Sequence, residues 1–313
     1  MNPIVFPGLG LEFHIDRVAF SVFGKDVYWY GIVITCGLIL AVVYCYYNAH
    51  RFGINKERVI DMILINAPLS IVGARIYYVF FYQELYRNPD GSFNWGEAVA
   101  IWDGGLAIYG AAITAIIVLL IFCKVNKIKF LAFGDLGVCG LFIGQAIGRW
   151  GNFCNQEAFG GLTSLPWRMG LTIGGQYVEV HPTFLYESLW NLAGLAIAHF
   201  FFRKHRKFDG QVFLFYLSWY GLGRMWIEGL RTDSLYLFNT GIRVSQLLAA
   251  ICFVVAGAIL LVLTIRLKPD PKRLYVNQVK AAPAAAAATE EEALETTETE
   301  EKEEEIDDGG SDS

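Results

Sequence analysis

Apolar residues in this chain gather into long runs, with the polar positions pushed to the joins between them. Seven such runs fall at 30–47, 59–81, 106–122, 131–147, 184–202, 212–227 and 245–265. Each reaches or approaches the roughly 20 residues that an α-helix needs to cross the hydrocarbon of a bilayer. The pattern predicts an all-α polytopic membrane protein with seven transmembrane helices. Two segments break the rhythm. Residues 167–173 and 176–180 flank Gly174-Gly175 and read as strands, which predicts a β-hairpin in a small extracytoplasmic head. Residues 1–28 mix polar and apolar positions around Pro3 and Pro7, and are expected to form an extracytoplasmic amphipathic segment lying at the outer interface. The membrane domain is then 29–267, and 268–313 is a cytoplasmic basic flank followed by an acidic tail.

Composition sharpens this picture. With 55% of residues hydrophobic and 18% charged, the chain suits a membrane-embedded bundle better than two soluble domains. The net charge of −5 says little about partners, because the acids concentrate in 289–312, a stretch without core-forming residues that is expected to be disordered. Basic residues set the orientation. Arg51, Lys56 and Arg58, then Lys124, Lys127 and Lys129, then Arg203, Lys204, Arg206 and Lys207, then Arg266, Lys268, Lys272 and Arg273 mark one side. The other side carries far fewer. Basic loops face the cytoplasm, so the N-terminus is expected outside and the C-terminus inside. No basic segment precedes the first apolar run, so no cleavable signal peptide is expected. The six cysteines are scattered, mostly inside apolar runs, and read as packing residues rather than a metal or disulfide framework.

Chemistry concentrates where the fourth run ends. Gly148-Arg149-Trp150-Gly151-Asn152-Phe153-Cys154-Asn155-Gln156-Glu157-Ala158-Phe159-Gly160-Gly161 places ionisable and amide groups at membrane depth, where they are tolerated mainly against a polar cavity. An interfacial loop meeting lipid headgroups is the plainer alternative. Arg75 lies deep in the second run, and either faces the bundle to meet an acid or a phosphate, or snorkels to the surface. Tyr30 opens the first run, as an interfacial anchor or as a site residue. In the sixth run Tyr220, Arg224, Glu228 and Arg231 recur at helical spacing, so one face is polar while Leu217, Trp219, Leu222 and Trp226 cover the others. Such a stripe lines a polar interior, and Arg224 can pair with Glu228 across one turn. His181 opens the fifth helix with Thr183 as its cap and Glu187 in its first turns, and its spacing from that acid is poor for a metal.

Several guanidinium groups converging in a desolvated pocket suit bidentate recognition of phosphate, and in a bilayer the abundant phosphates belong to lipids. The chain has no Ser-His-Asp spacing, no H-E-x-x-H and no Walker loop, which excludes the common hydrolase, metalloprotease and ATPase patterns. The 148–160 stretch resembles the signature of the bacterial prolipoprotein diacylglyceryl transferases. Three further stretches match in order: Trp29-Tyr30-Gly31, His181-Pro182-Thr183-Phe184-Leu185-Tyr186-Glu187, and the run from Tyr220 to Arg231.

The resemblance implies a seven-helix enzyme of the bacterial inner membrane, catalytic over 29–267, without cofactor, metal or nucleic-acid partner. It would move the diacylglyceryl group of phosphatidylglycerol onto the lipobox cysteine of a prolipoprotein, forming a thioether and releasing glycerol-1-phosphate. By position, Arg149 and Arg224 would face the phosphate, with Glu157 and Glu228 orienting them or taking a proton. Tyr30, Arg75, Asn152, Gly160, His181, Tyr220 and Arg231 would complete the substrate site. Many members carry a histidine before a glycine in the third helix, where this chain has Tyr109-Gly110. With a phenol pKa near ~10, Tyr109 is a poor base at neutral pH. The competing reading is a transporter or flippase for an anionic lipid or solute, although no inverted repeat is apparent. A structural scaffold would leave the Tyr220 to Arg231 stripe unexplained.

Overall fold

The computed structural model describes residues 3–232 and 243–282. The acidic tail expected to be disordered lies outside the described residues. Helices dominate: α1 (Trp29–Asn48), α2 (Lys56–Phe81), the short α3 (Trp95–Val99), α4 (Ile108–Val125), α5 (Phe130–Asn155), α6 (Thr183–Ala196), α7 (Arg203–His205), α8 (Gln211–Leu230) and α9 (Val244–Arg266). A π-helical segment, Ile197–Phe202, joins α6 to α7 without a break. Among the described residues five helical stretches are long and apolar enough to cross a membrane: Trp29–Phe52, Lys56–Phe81, Ile108–Val125, Phe130–Asn155 and Val244–Arg266. The other two predicted runs are also helical, as α6 with its continuation and as α8. They are less apolar because they carry Glu187, Asn191, Arg224 and Glu228, three of which build the candidate site.

Helix α5 is the axis of the bundle, with buried residues from Ala132 to Cys154, and it packs against α1, α6 and α8. Its glycines explain how α1 comes so close. A Cβ on Gly140 would lie 2.9 Å from Cys45 Sγ, and one on Gly151 would lie 2.7 Å from the Tyr30 ring. In lipid no hydrophobic force drives helices together, so small residues that let backbones approach are what hold such a seam. The pairs run in opposite directions along the two helices, so α1 and α5 are antiparallel.

Above the end of α5 sits a four-stranded sheet of order β2-β1-β5-β6. The predicted hairpin is β5 (Met169–Ile173) and β6 (Gln176–Val180), paired from Met169↔Val180 to Ile173↔Gln176. Gly174 and Gly175 take φ of +59° and +83°, the two positive values that a tight hairpin turn needs. The N-terminal segment is built of strands. It forms β1 (Ile4–Phe6), β2 (Leu11–Phe13), β3 (Val18–Val22) and β4 (Lys25–Tyr28). Strand β1 joins the head by pairing with β5 at Val5↔Gly170. The reason is burial: Ile4 and Phe6 pack with Phe153, Met169, Leu171 and Phe184 in one cluster. That cluster ties the end of α5 to the start of α6.

The seam makes a stability prediction. Gly140→Val should lower the unfolding free energy by about 1–3 kcal/mol through overpacking against α1. Gly137→Val should change it little, since nothing lies within 4 Å of a Cβ built there. Thermal unfolding in detergent, with both variants side by side, checks the contrast.

Candidate functional site

Three helices each bring charged groups to one place. Helix α5 supplies Arg149, α6 supplies Glu187, and α8 supplies Arg224 and Glu228. Glu187 bridges the two arginines: Oε2 lies 2.6 Å from Nη2 of Arg149, and Oε1 accepts from Nη1 of Arg224 at 2.9 Å. The Arg149 contact is an ion contact off the N–H direction, whereas the Arg224 contact is a directed hydrogen bond. Nη2 of Arg224 also lies 2.6 Å from Glu228 Oε2, one helical turn on. Glu187 and Glu228 are only 4% and 2% exposed. Carboxylates this buried stay charged only when paired, and removing one partner of such a pair costs several kcal/mol.

A second arm reaches outward from Arg149. Its Nη1 donates to Asn152 Oδ1 at 3.3 Å, and Asn152 Nδ2 donates to Glu157 Oε1 at 2.9 Å. Asn155 Nδ2 adds a longer bond, 3.4 Å, to the same oxygen. Glu157 is exposed, and its other oxygen has no hydrogen bond among the described residues. The loop that presents it is strained. Gln156 and Ala158, on either side, have φ of +53° and +55°, a region non-glycine residues visit at a cost of about 1–3 kcal/mol each. Such strain clusters at functional sites.

The chain after Glu157 is stitched to two other elements. Gly160 N–H donates to His181 O, Gly161 N–H donates to Leu230 O, and Gly160 pairs with Arg231 as an isolated bridge. A Cβ on Gly160 would come within 2.7 Å of the His181 Cβ, so glycine is needed for this approach. Thr183 does not cap α6 as expected. Its hydroxyl instead donates to Ala158 O, which holds the strained loop. His181 Nδ1 lies 3.2 Å from Tyr186 Oη, which itself accepts from Trp167 Nε1 at 2.8 Å. With that oxygen accepting from tryptophan, its own proton is free to point to His181 Nδ1. Partial burial pushes the His181 pKa below its ordinary value, in keeping with a neutral ring there.

The remaining predicted residues divide. Tyr30 lies against Gly151, which sits between Arg149 and Asn152 on α5. Tyr220 stacks on Tyr216 at 5.7 Å, and Gln145 Nε2 bonds the Tyr216 hydroxyl at 2.8 Å. Arg231 has left the helix, with extended backbone beyond the end of α8, so the stripe read from helical spacing stops at Glu228. Arg75 meets neither an acid nor an opening to the surface. It is buried, and donates to the carbonyls of Glu97, Ala98, Gly104 and Gly105 at 2.6, 2.9, 2.6 and 3.1 Å, with its guanidinium over the Tyr86 ring. It anchors the 83–105 loop. Tyr109 is half-exposed and faces Tyr77 across the close contact of α4 with α2, with ring centroids 6.4 Å apart. Glu187 is the site residue that sequence reasoning passed over, although it closes one of the quoted motifs.

A guanidinium has five N–H donors, and each arginine here engages only two groups among the described residues. The pair therefore keeps donors for an anion. No three His, Cys, Asp or Glu side chains come together as a metal site among the described residues.

The family model described as "Prolipoprotein diacylglyceryl transferase" matches residues 17–263. The chain belongs to the prolipoprotein diacylglyceryl transferase family. A relative from Finegoldia magna named phosphatidylglycerol–prolipoprotein diacylglyceryl transferase is 46% identical over 246 residues, covering 79% of this chain and 94% of its own. One of the same name from Clostridioides difficile is 46% identical over 224 residues, covering 71% of this chain and 86% of its own. A third, from Lysinibacillus sphaericus, is 41% identical over 275 residues and covers 84% and 98%. The family match spans every element that carries the charged cluster.

Two outcomes are expected of this family member. Arg75→Lys, with three donors for four carbonyls, should leave at least one of the bonds unmade and speed proteolysis within 83–105, as read by limited digestion. Glu187→Gln should leave both arginines short of an acceptor, so that millimolar inorganic phosphate raises its melting temperature more than it raises that of the unaltered protein.

Proposed function

We propose that this chain is a phosphatidylglycerol–prolipoprotein diacylglyceryl transferase, carrying out the first step of lipoprotein maturation. The observation that supports it most is the bridge by Glu187 between Arg149 and Arg224. It draws two planar guanidinium groups to one carboxylate, with donors to spare on each among the described residues. The substrates follow from the relatives' names: phosphatidylglycerol as donor and a prolipoprotein, through its lipobox cysteine, as acceptor.

The step we infer is a displacement at the glycerol carbon bonded to the phosphate oxygen. The acceptor thiol loses its proton, sulfur forms a bond to that carbon, and the carbon–oxygen bond breaks with its electron pair left on the phosphate. A phosphodiester monoanion thereby becomes the phosphate monoester of glycerol, with a second charge to accommodate. Arg149 and Arg224 stabilise that developing charge, which is the term usually largest in enzymatic catalysis. Their field does less for the thiol, whose free pKa is about 8.5, because Glu187 and Glu228 already balance two cations with two anions. A proton acceptor is needed, and Glu157 is the best placed: exposed, oriented by Asn152 and Asn155, and with one oxygen unengaged. Glu187 and Glu228 act by holding the arginines. Tyr30, Gly160, His181, Tyr220 and Arg231 shape the walls and the rim, and Tyr109 has no role as base in this scheme.

The wider setting is part of the same reading. Residues 29–267 form the catalytic unit in the bacterial cytoplasmic membrane, with seven spanning helices once α6 with its continuation and α8 are counted. The N-terminus and the head lie outside, and the basic connections and the C-terminus lie in the cytoplasm.

Purified protein given headgroup-labelled phosphatidylglycerol and a lipobox peptide should release labelled glycerol phosphate in step with the peptide's gain of lipid. Arg149→Ala and Arg224→Ala should each lower that rate by about 10²–10³ or more while the protein still inserts. Glu157→Gln should slow transfer but keep lipid binding. Near-normal product from either arginine variant would remove that arginine from the mechanism.

A further inference from the structure

The far end of the bundle holds a polar cavity. Counting from Arg149 to Cys139, which lines it, gives ten residues of α5, or about 15 Å along the helix. The cavity has a volume of about 360 Å³. Its lining includes the apolar Phe52, Phe202 and Val212 and four cations, the buried Arg206 with Arg51, Lys204 and Lys280, contributed by three separate parts of the chain.

The charge balance at this cavity is unlike that of the cluster around Glu187. Four cations face it, and the carboxylate behind them is Asp135, 3.6 Å from Arg206 Nη1. That carboxylate is already engaged by the backbone N–H groups of Gly210 and Phe213, at 2.9 and 2.8 Å. The Arg206 side chain is 8% exposed. Nη1 makes no hydrogen bond among the described residues beyond that ion contact with Asp135, while Nη2 donates to Arg51 O at 3.3 Å and the guanidinium lies over the Phe52 ring. Asp135 thus offsets Arg206 alone, and the cavity lining brings Arg51, Lys204 and Lys280 together with no carboxylate among its described residues. The π-helical segment adds a second feature. It places His199 on the cavity wall, with Nδ1 2.7 Å from the Tyr44 hydroxyl, and π-segments recur at functional sites. Lys280 and Asn277 reach the rim from the helical stretch at 275–282.

We propose that this cavity binds a phosphate group, with Arg206 as its deep contact and Arg51, Lys204 and Lys280 around the opening. The position at helix ends favours a phosphate carried by an anionic glycerophospholipid of that leaflet, since basic pockets between spanning helices take such headgroups. A soluble phosphate ester presents the same chemistry. The proposal does not depend on the transferase reading.

The test uses full-length protein in phosphatidylcholine nanodiscs, with phosphatidic acid titrated in and lipid retention read by native mass spectrometry. The unaltered protein should prefer phosphatidic acid. Lys280→Glu, at an exposed position that does not threaten folding, should weaken that binding by about fivefold or more. Arg51→Gln with Lys204→Gln should do the same, and Arg149→Gln should leave this class of retained lipid in place. Competition by millimolar glycerol phosphate would support the phosphate site and assign it to a soluble ester, and lack of competition would assign it to lipid. Equal retention by the unaltered protein and Lys280→Glu, or loss of the preference in Arg149→Gln alone, would overturn the proposal.

Discussion

One buried carboxylate sets the geometry of the site. Glu187 is nearly sealed from solvent and touches a guanidinium with each oxygen, so α5, α6 and α8 must meet where those three side chains meet. A charge of either sign left unpaired at that depth would be costly, which makes the arrangement difficult to loosen by degrees. Its chemistry follows from what stays free. Both arginines keep donors after the carboxylates are served among the described residues.

The scaffold works toward that meeting point from two directions. Along one side, close approach at Gly140 and Gly151 lays α1 along α5 and brings Tyr30 beside the turn that carries Arg149 and Asn152. Above it, the strand β1 and the hairpin bury Ile4, Phe6, Met169 and Leu171 against Phe153 and Phe184, so the last turn of α5 and the first of α6 share one core. The strained turn around Glu157 is held by Thr183 and by the stitch at Gly160 and Gly161, both anchored on the neighbouring helix ends. Packing made almost wholly of apolar and small residues thus supports a handful of charged side chains near the end of the bundle.

Much of this was legible in the chain itself. The apolar runs mark all the long helices, and Gly174-Gly175 marks the hairpin, because helical length and turn chemistry are local properties. Tyr220, Arg224 and Glu228 fall on one face for the same reason, whereas Arg231 does not, since periodicity cannot tell where a helix stops. Arg75 was recognisable as a buried cation, but its acceptors are carbonyls of a loop more than twenty residues away, and carbonyls leave no trace in a sequence. Glu187 was hidden differently: an acid near the start of a helix also reads as a partner of the helix dipole. Strand β1 escaped because Ile4 and Phe6 are buried in a sheet completed only by residues after 168.

The central claim is that Arg149 and Arg224 act on one phosphate together. A double-mutant cycle tests it most directly, using calorimetric binding of a non-reactive ether analogue of phosphatidylglycerol to the unaltered protein, Arg149→Gln, Arg224→Gln and the double variant. Shared use of one phosphate predicts a loss in each single variant and clear non-additivity in the double, since groups acting on one partner couple. Losses that simply add, or a single variant that binds the analogue as well as the unaltered protein, would contradict it.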